Sequence, residues 1–186
     1  MSKKIFAGLM MVIVFTGFIF YVLSKKDNEQ PNITSTTTAS KGELNKAGQN
    51  LREVSSEIYN QTDTMVLVLS NNSLKSLPSE MGRMVNLTTL KLDHNQLEGS
   101  LIGEIRQMQN LKILDASYNK MTGIPAEIGQ LKNLQSLDYS YNQITDLPNE
   151  LANLKNLKLL NLTANPISTD KIQSLKAALP KTNIIF

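Results

Sequence analysis

An asparagine recurs at Asn72, Asn95, Asn119, Asn142 and Asn165, at intervals of 23, 24, 23 and 23 residues, each time inside one apolar frame. The frame reads L-x-x-L-x-L-x-x-N-x-L, as in Leu87, Leu90, Leu92, Asn95 and Leu97, and again in Leu157, Leu160, Leu162, Asn165 and Ile167. Such a period implies an array in which each unit buries its apolar side against the next. With the first leucine as position one, positions one, four and six point inward from a short strand. The asparagine follows at a tight turn, where its amide can satisfy backbone groups that the ending strand leaves free.

The second half of each unit is as regular as the first. Leu77-Pro78, Glu80-Met81 and Met84 align with Ile124-Pro125, Glu127-Ile128 and Leu131, and with Leu147-Pro148, Glu150-Leu151 and Leu154. The proline suits a first helical residue, the glutamate a helix N-terminus, and the apolar spacing a single turn of 3₁₀ or α-helix. Gly82 and Gly129 are expected to let the chain leave that turn. Glu57, Glu80, Glu104, Glu127 and Glu150 recur with the period and are expected to cap one turn each, rather than form a catalytic carboxylate cluster.

These motifs resemble those of leucine-rich repeat proteins with 23-residue repeats, of the bacterial membrane-anchored type, over roughly residues 42 to 186. The resemblance implies an α/β fold: a right-handed solenoid with a parallel concave sheet and short 3₁₀ or helical turns on the convex side. It also implies that Asn72, Asn95, Asn119, Asn142 and Asn165 form a structural ladder. Residues 41–186 then divide into a degenerate N-terminal cap (41–63), repeats 64–86, 87–110, 111–133 and 134–156, and a C-terminal repeat with its cap (157–186). Leu44 falls on position four of the cap, Lys46 on position six and Gln49 on the asparagine position. At the other end, Ile172, Leu175 and Leu179 keep helical spacing, and Ile184-Ile185-Phe186 reads as a last strand. The second asparagine interval, Asn95 to Asn119, carries one extra residue near Gly99-Ser100, predicting a bulge that leaves the strand register intact. At position six Ala116 precedes Tyr139, which predicts a compensating small–large core pair whose tyrosine hydroxyl needs a buried partner.

The N-terminus is a different object. After a flank of residues 1–4, the 19 residues Ile5 to Leu23 carry no charge and are bracketed by Lys3-Lys4 and Lys25-Lys26. About 20 apolar residues span a bilayer core, whereas a cleaved signal peptide has a shorter apolar run ending in small residues. Phe18 to Leu23 are large, so residues 5–24 read as an uncleaved transmembrane signal-anchor helix and residues 25–40 as a Ser/Thr-rich linker. The expected setting is a single-pass membrane protein with its repeats in the cell envelope, outside the cytoplasm.

Composition narrows the function further. The net charge of +3 owes four lysines to the flanks of the apolar run; beyond residue 26 there are 15 basic and 16 acidic residues. No basic face for nucleic acid follows from that balance. With one histidine, no cysteine, no phosphate-binding glycine loop and no metal-ligand spacing, the reading is non-enzymatic, without catalytic residues, metal or cofactor. A hydrolase triad of His94, Asp115 or Asp138 and a position-seven serine fails for want of a pocket and an oxyanion hole.

Positions five, seven and eight read as contiguous columns on one exposed face. The partner-binding candidates on the concave face are Lys91, His94, Lys112, Asp115, Tyr118, Asp138 and Tyr141, with the two exposed tyrosines as anchors. The expected ligand is a protein. The alternative is a structural or envelope role, binding cell-wall glycan or spacing other proteins, and the chain has no tryptophan to stack on sugars.

Overall fold

The computed structural model describes residues 42–186. The expected anchor (5–24), the linker (25–40) and the first residue of the N-terminal cap lie outside the described residues. Among the described residues no helix is long and apolar enough to cross a membrane.

Seven three-residue strands form one parallel sheet. They are β1 (Glu43–Asn45), β2 (Val66–Val68), β3 (Thr89–Lys91), β5 (Ile113–Asp115), β7 (Ser136–Asp138), β8 (Leu159–Asn161) and β9 (Asn183–Ile185). Position four runs straight through the sheet as Leu44, Leu67, Leu90, Leu114, Leu137, Leu160 and Ile184, each paired with the next. Positions one, four and six of the 87, 111 and 134 frames are fully buried, as a row of inward side chains requires. Opposite the sheet lie 3₁₀ turns at Ser79–Arg83, Gly103–Gln107, Ala126–Gln130 and Asn149–Asn153. Helix α1 (Ser56–Tyr59) precedes them, and α2 (Thr169–Ala178) follows with Ile172 and Leu175 buried.

The extra residue of the second interval is taken up beside a two-stranded ribbon of β4 (Glu98–Gly99) and β6 (Lys120–Met121). Gly99 there has φ +67°, while Leu90 and Leu114 stay in register.

The asparagine column is fully bonded. Asn119 Nδ2 donates to the Leu92, Ala116 and Ser117 carbonyls, and its Oδ1 accepts the Leu97 N–H at 2.9 Å. Asn72, Asn95, Asn142 and Asn165 repeat the scheme, each joining its own turn to the previous rung. Four bonds per amide remove the penalty of burying it.

Four local expectations are corrected. Pro78, Pro125 and Pro148 sit at the N-cap in extended conformation, with ψ of 146°, 142° and 140°, rather than at the first helical residue. The glutamates stand in the first turns but make no side-chain capping bond, so they contribute only charge at the N-terminus. Gly82 and Gly129 lie inside their turns, not at the exit. A Cβ on Gly129 would stand 2.3 Å from the Glu150 carbonyl oxygen, and one on Gly82 2.9 Å from Glu104 Cβ. These glycines let neighbouring turns approach closely. Lastly, Tyr139 is fully buried beside Ala116 of the preceding rung, yet its hydroxyl has no hydrogen-bond partner among the described residues. Burial alone pushes that phenol far above its usual range.

Candidate functional site

Position eight, one residue before each ladder asparagine, is left-handed in five successive frames. The φ values are 57° at Asn71, 54° at His94, 52° at Tyr118, 55° at Tyr141 and 58° at Ala164, and the cap places Gly48 there at 65°. The geometry follows from the ladder. The asparagine amide collects the carbonyls of positions six and seven, so the chain must reverse at position eight to bring position nine inward. Glycine tolerates that conformation best, asparagine and histidine adopt it more readily than most, and at tyrosine or alanine the Cβ strains it by about 1–2 kcal/mol.

Three consecutive frames nevertheless put rings at this position. His94 and Tyr118 stack with centroids 4.3 Å apart and planes 13° from parallel; Tyr118 and Tyr141 do so at 4.3 Å and 9°. Tyr118 and Tyr141 remain 44% and 47% exposed, so the rings contribute little to the core. An aromatic pair adds about 0.5–1.5 kcal/mol, which roughly offsets the strain and leaves no surplus for stability. Strain held at an exposed site is a pointer to function.

The turns that carry the rings are braced from position five. Asp115 Oδ1 accepts both the Ser117 N–H (3.1 Å) and its hydroxyl (2.7 Å), and Asp138 Oδ1 accepts the same pair from Ser140 at 2.8 and 2.6 Å. Asn161 holds Thr163 alike and donates through Nδ2 to Asp138 Oδ2 at 2.9 Å. These are Asx turns. In the His94 frame the acid has moved to position seven: Asp93 accepts the Ser70 hydroxyl and meets His94 Nδ1 at 3.1 Å.

Electrostatics follow the same column. Burial raises the Asp115 carboxyl above its usual range; the Ser117 bonds oppose this, and the charges of Asp93 and Asp138 add to it. Desolvation, then the Tyr141 hydroxyl, then the charges of Tyr141 and Asp138 raise the Tyr118 phenol.

The residues expected on one face therefore separate. Lys91, Asp115 and Asp138 end strands β3, β5 and β7; His94, Tyr118 and Tyr141 stand beyond the strands, on the turn. Ser117 and Ser140 are buried, not exposed as position seven was expected to be, and their hydroxyls are committed to Asp115 and Asp138. His94 is held by Asp93 and Tyr118, so no serine–histidine pair forms. Lys112 lies at the opposite strand end, in a shallow cleft of about 420 Å³ with Asp63, Met65, Asn86, Thr88, Asn110 and Asn133.

The sequence reading missed a second asparagine column, three of whose members line that cleft. Asn86, Asn110, Asn133 and Asn156 donate to the carbonyls of Thr62, Val85, Gln109 and Lys132 in the preceding repeats, at 2.8–3.0 Å. It was present as an asparagine immediately before Leu87, Leu111, Leu134 and Leu157.

Comparison with known proteins agrees with this architecture. Two family models described as leucine-rich repeat match residues 109–167 and 86–108. A rat protein, leucine-rich repeat and fibronectin type III domain-containing protein 1, is 42% identical over 62 residues, which are 33% of this chain and 8% of that protein. The solved structure of a Leptospira interrogans leucine-rich repeat protein has 36% identity and a TM-score of 0.59, covering 74% of this chain and 41% of that one. The ectodomain of the Arabidopsis thaliana membrane receptor kinase GASSHO1/SCHENGEN3, solved in complex with CASPARIAN STRIP INTEGRITY FACTOR 2, has 39% identity and a TM-score of 0.64. It covers 73% of this chain, which spans only 17% of that one. With a parallel sheet, 3₁₀ turns and an asparagine column behind these matches, the chain is a leucine-rich repeat protein.

Proposed function

We propose that this chain recognises a protein ligand on the rim of its repeat sheet, with residues 5–24 as a membrane anchor and the repeats outside the cytoplasm. The observation that carries the reading is the strained, exposed stack of His94, Tyr118 and Tyr141. Tyrosine supplies large contact area with few rotamers and a polar tip, and it is enriched at binding hot spots. Asp115 and Asp138 brace the two tyrosine-bearing turns, so the anchors are preorganised before any partner arrives. The similar Arabidopsis ectodomain supports the choice of a protein ligand, since it was solved with one bound. The uncharged run from Ile5 to Leu23 supports the anchor.

In this reading the module is non-enzymatic and binds no nucleic acid. Capture of partners by the full chain, before and after glycan digestion, tests the ligand class. Capture that survives digestion supports a protein ligand, and capture abolished by it favours the envelope-glycan alternative. Protease accessibility of the repeats on intact cells tests the orientation.

A further inference from the structure

The two ends of the ring stack differ in the residue that follows. Beyond His94 the next position-eight residue is Asn71, a polar side chain on the same left-handed backbone. Beyond Tyr141 it is Ala164, with φ 58° against 55° at Tyr141. The backbone continues unchanged: His94 N–H bonds Ser117, Tyr118 N–H bonds Ser140, and Tyr141 N–H bonds Thr163. The ladder therefore has a fourth rung in place, with a methyl group where a ring would stack. One face of Tyr141 is packed by Tyr118 at 4.3 Å, and Ala164 leaves the other without a ring partner among the described residues.

The surroundings choose among planar groups. Positions five to eight of the last three frames are Asp115–Tyr118, Asp138–Tyr141 and Asn161–Ala164, which carry two carboxylates and no lysine or arginine. The two carboxylates make the charge of these frames negative, which favours a cation over a neutral or anionic group, and a ring-sized slot needs a flat one. Guanidinium is planar and weakly hydrated, and it stacks on aromatic faces while pairing with carboxylates; a lysine ammonium has no face to stack.

We propose that the rung above Ala164 is a slot for an arginine side chain of the protein ligand, stacked on the open face of Tyr141 and drawn by Asp138. This rests on the protein-ligand reading given above and names its chemistry.

The test uses the full chain with labelled tyrosine rings, titrated with Gly-Gly-Arg-Gly-Gly and followed by NMR. The Tyr141 ring signals are expected to shift saturably. The same peptide with citrulline, flat but uncharged, should bind roughly two- to fivefold more weakly, as should the lysine peptide. Asp138→Asn should bring the arginine peptide to the citrulline level, removing the advantage that its charge gives. Ala164→Tyr should fill the slot and abolish the response. If that variant does not fold, Tyr141→Ala carries the test, because the response should pass to Tyr118, then the open end.

An unmoved Tyr141, tighter binding of Gly-Gly-Trp-Gly-Gly, or an undiminished response in Ala164→Tyr would each overturn the slot. The two readings fail separately. Tyrosine substitutions that abolish partner capture while the arginine peptide leaves Tyr141 unmoved sink the slot and keep the ligand site. A saturable peptide response with capture unaffected by those substitutions does the reverse.

Discussion

Tyr118 and Tyr141 stack at 4.3 Å although 23 residues separate them, and both stand in left-handed backbone. Parallel strands spaced about 4.8 Å apart bring equivalent residues of adjacent repeats nearly to ring-stacking distance. The repeat thus supplies the stack and the strain together.

That coupling reverses a familiar preference. Glycine normally destabilises an ordered position relative to alanine. At Tyr141, with φ 55°, Tyr141→Gly should be more stable than Tyr141→Ala by about 1 kcal/mol, because alanine keeps the Cβ that left-handed backbone disfavours. Denaturant titration of the two variants decides it; alanine ahead of glycine would contradict the strain.

The asparagine ladder predicts a second asymmetry. Asn119→Leu leaves the Leu97 N–H and three carbonyls without their side-chain partner, and should cost about 1–3 kcal/mol or more. Lys120→Ala, at the next and exposed position, should stay within about 0.5 kcal/mol. Equal losses in unfolding experiments would show the amide bonds to be unimportant.

Glycines that look alike in the sequence should behave differently. Gly129→Ala drives a Cβ against backbone and should destabilise by about 1–3 kcal/mol. Gly123→Ala meets nothing within 4 Å and should be neutral or gain up to about 1 kcal/mol. Gly82 faces side-chain atoms of Glu104 and Gln107, so Gly82→Ala should fall between them. Melting temperatures of the three variants give the order directly.

Asp115 predicts a pH effect. Burial raises its carboxyl, so the folded chain holds a proton over a window where the unfolded chain has released it. Stability from this group therefore falls as pH rises from the ordinary carboxylate range through the raised value. Asp115→Asn retains an oxygen for the Ser117 bonds, as Asn161 does for Thr163. The variant should be more stable than the parent at pH 7, with the difference shrinking below pH about 4. A parent that is the more stable at pH 7 would contradict this.

The fold was legible because its determinants repeat. Leu90, Leu114 and Leu137 at one frame position announce a single inward column, and the sheet register holds them in line. What stayed hidden depends on contacts between repeats. Gly129 looks like an exit residue until Glu150 of the next turn is placed against it. The left-handed turn was signalled by Gly48, Asn71 and His94, and Tyr118, Tyr141 and Ala164 obscured it because none of those three favours that backbone. The candidate residues were named as one concave face, whereas Lys112 and the ring stack stand at opposite ends of the strands. Tyr139 was expected to find a polar partner, and no described residue offers one.

The central claim is that the stacked rings bind the protein ligand, and affinity measured on a paired set of variants tests it most directly. Tyr118→Ala with Tyr141→Ala should leave the full chain folded, since both rings are nearly half exposed, and should weaken binding of the captured partner by about 2 kcal/mol or more. Arg83→Ala with Gln130→Ala, exposed on the 3₁₀ turns, should change it by less than about 0.5 kcal/mol. Unchanged affinity in the tyrosine pair, with loss in the other, would place the ligand on the opposite side and contradict the account.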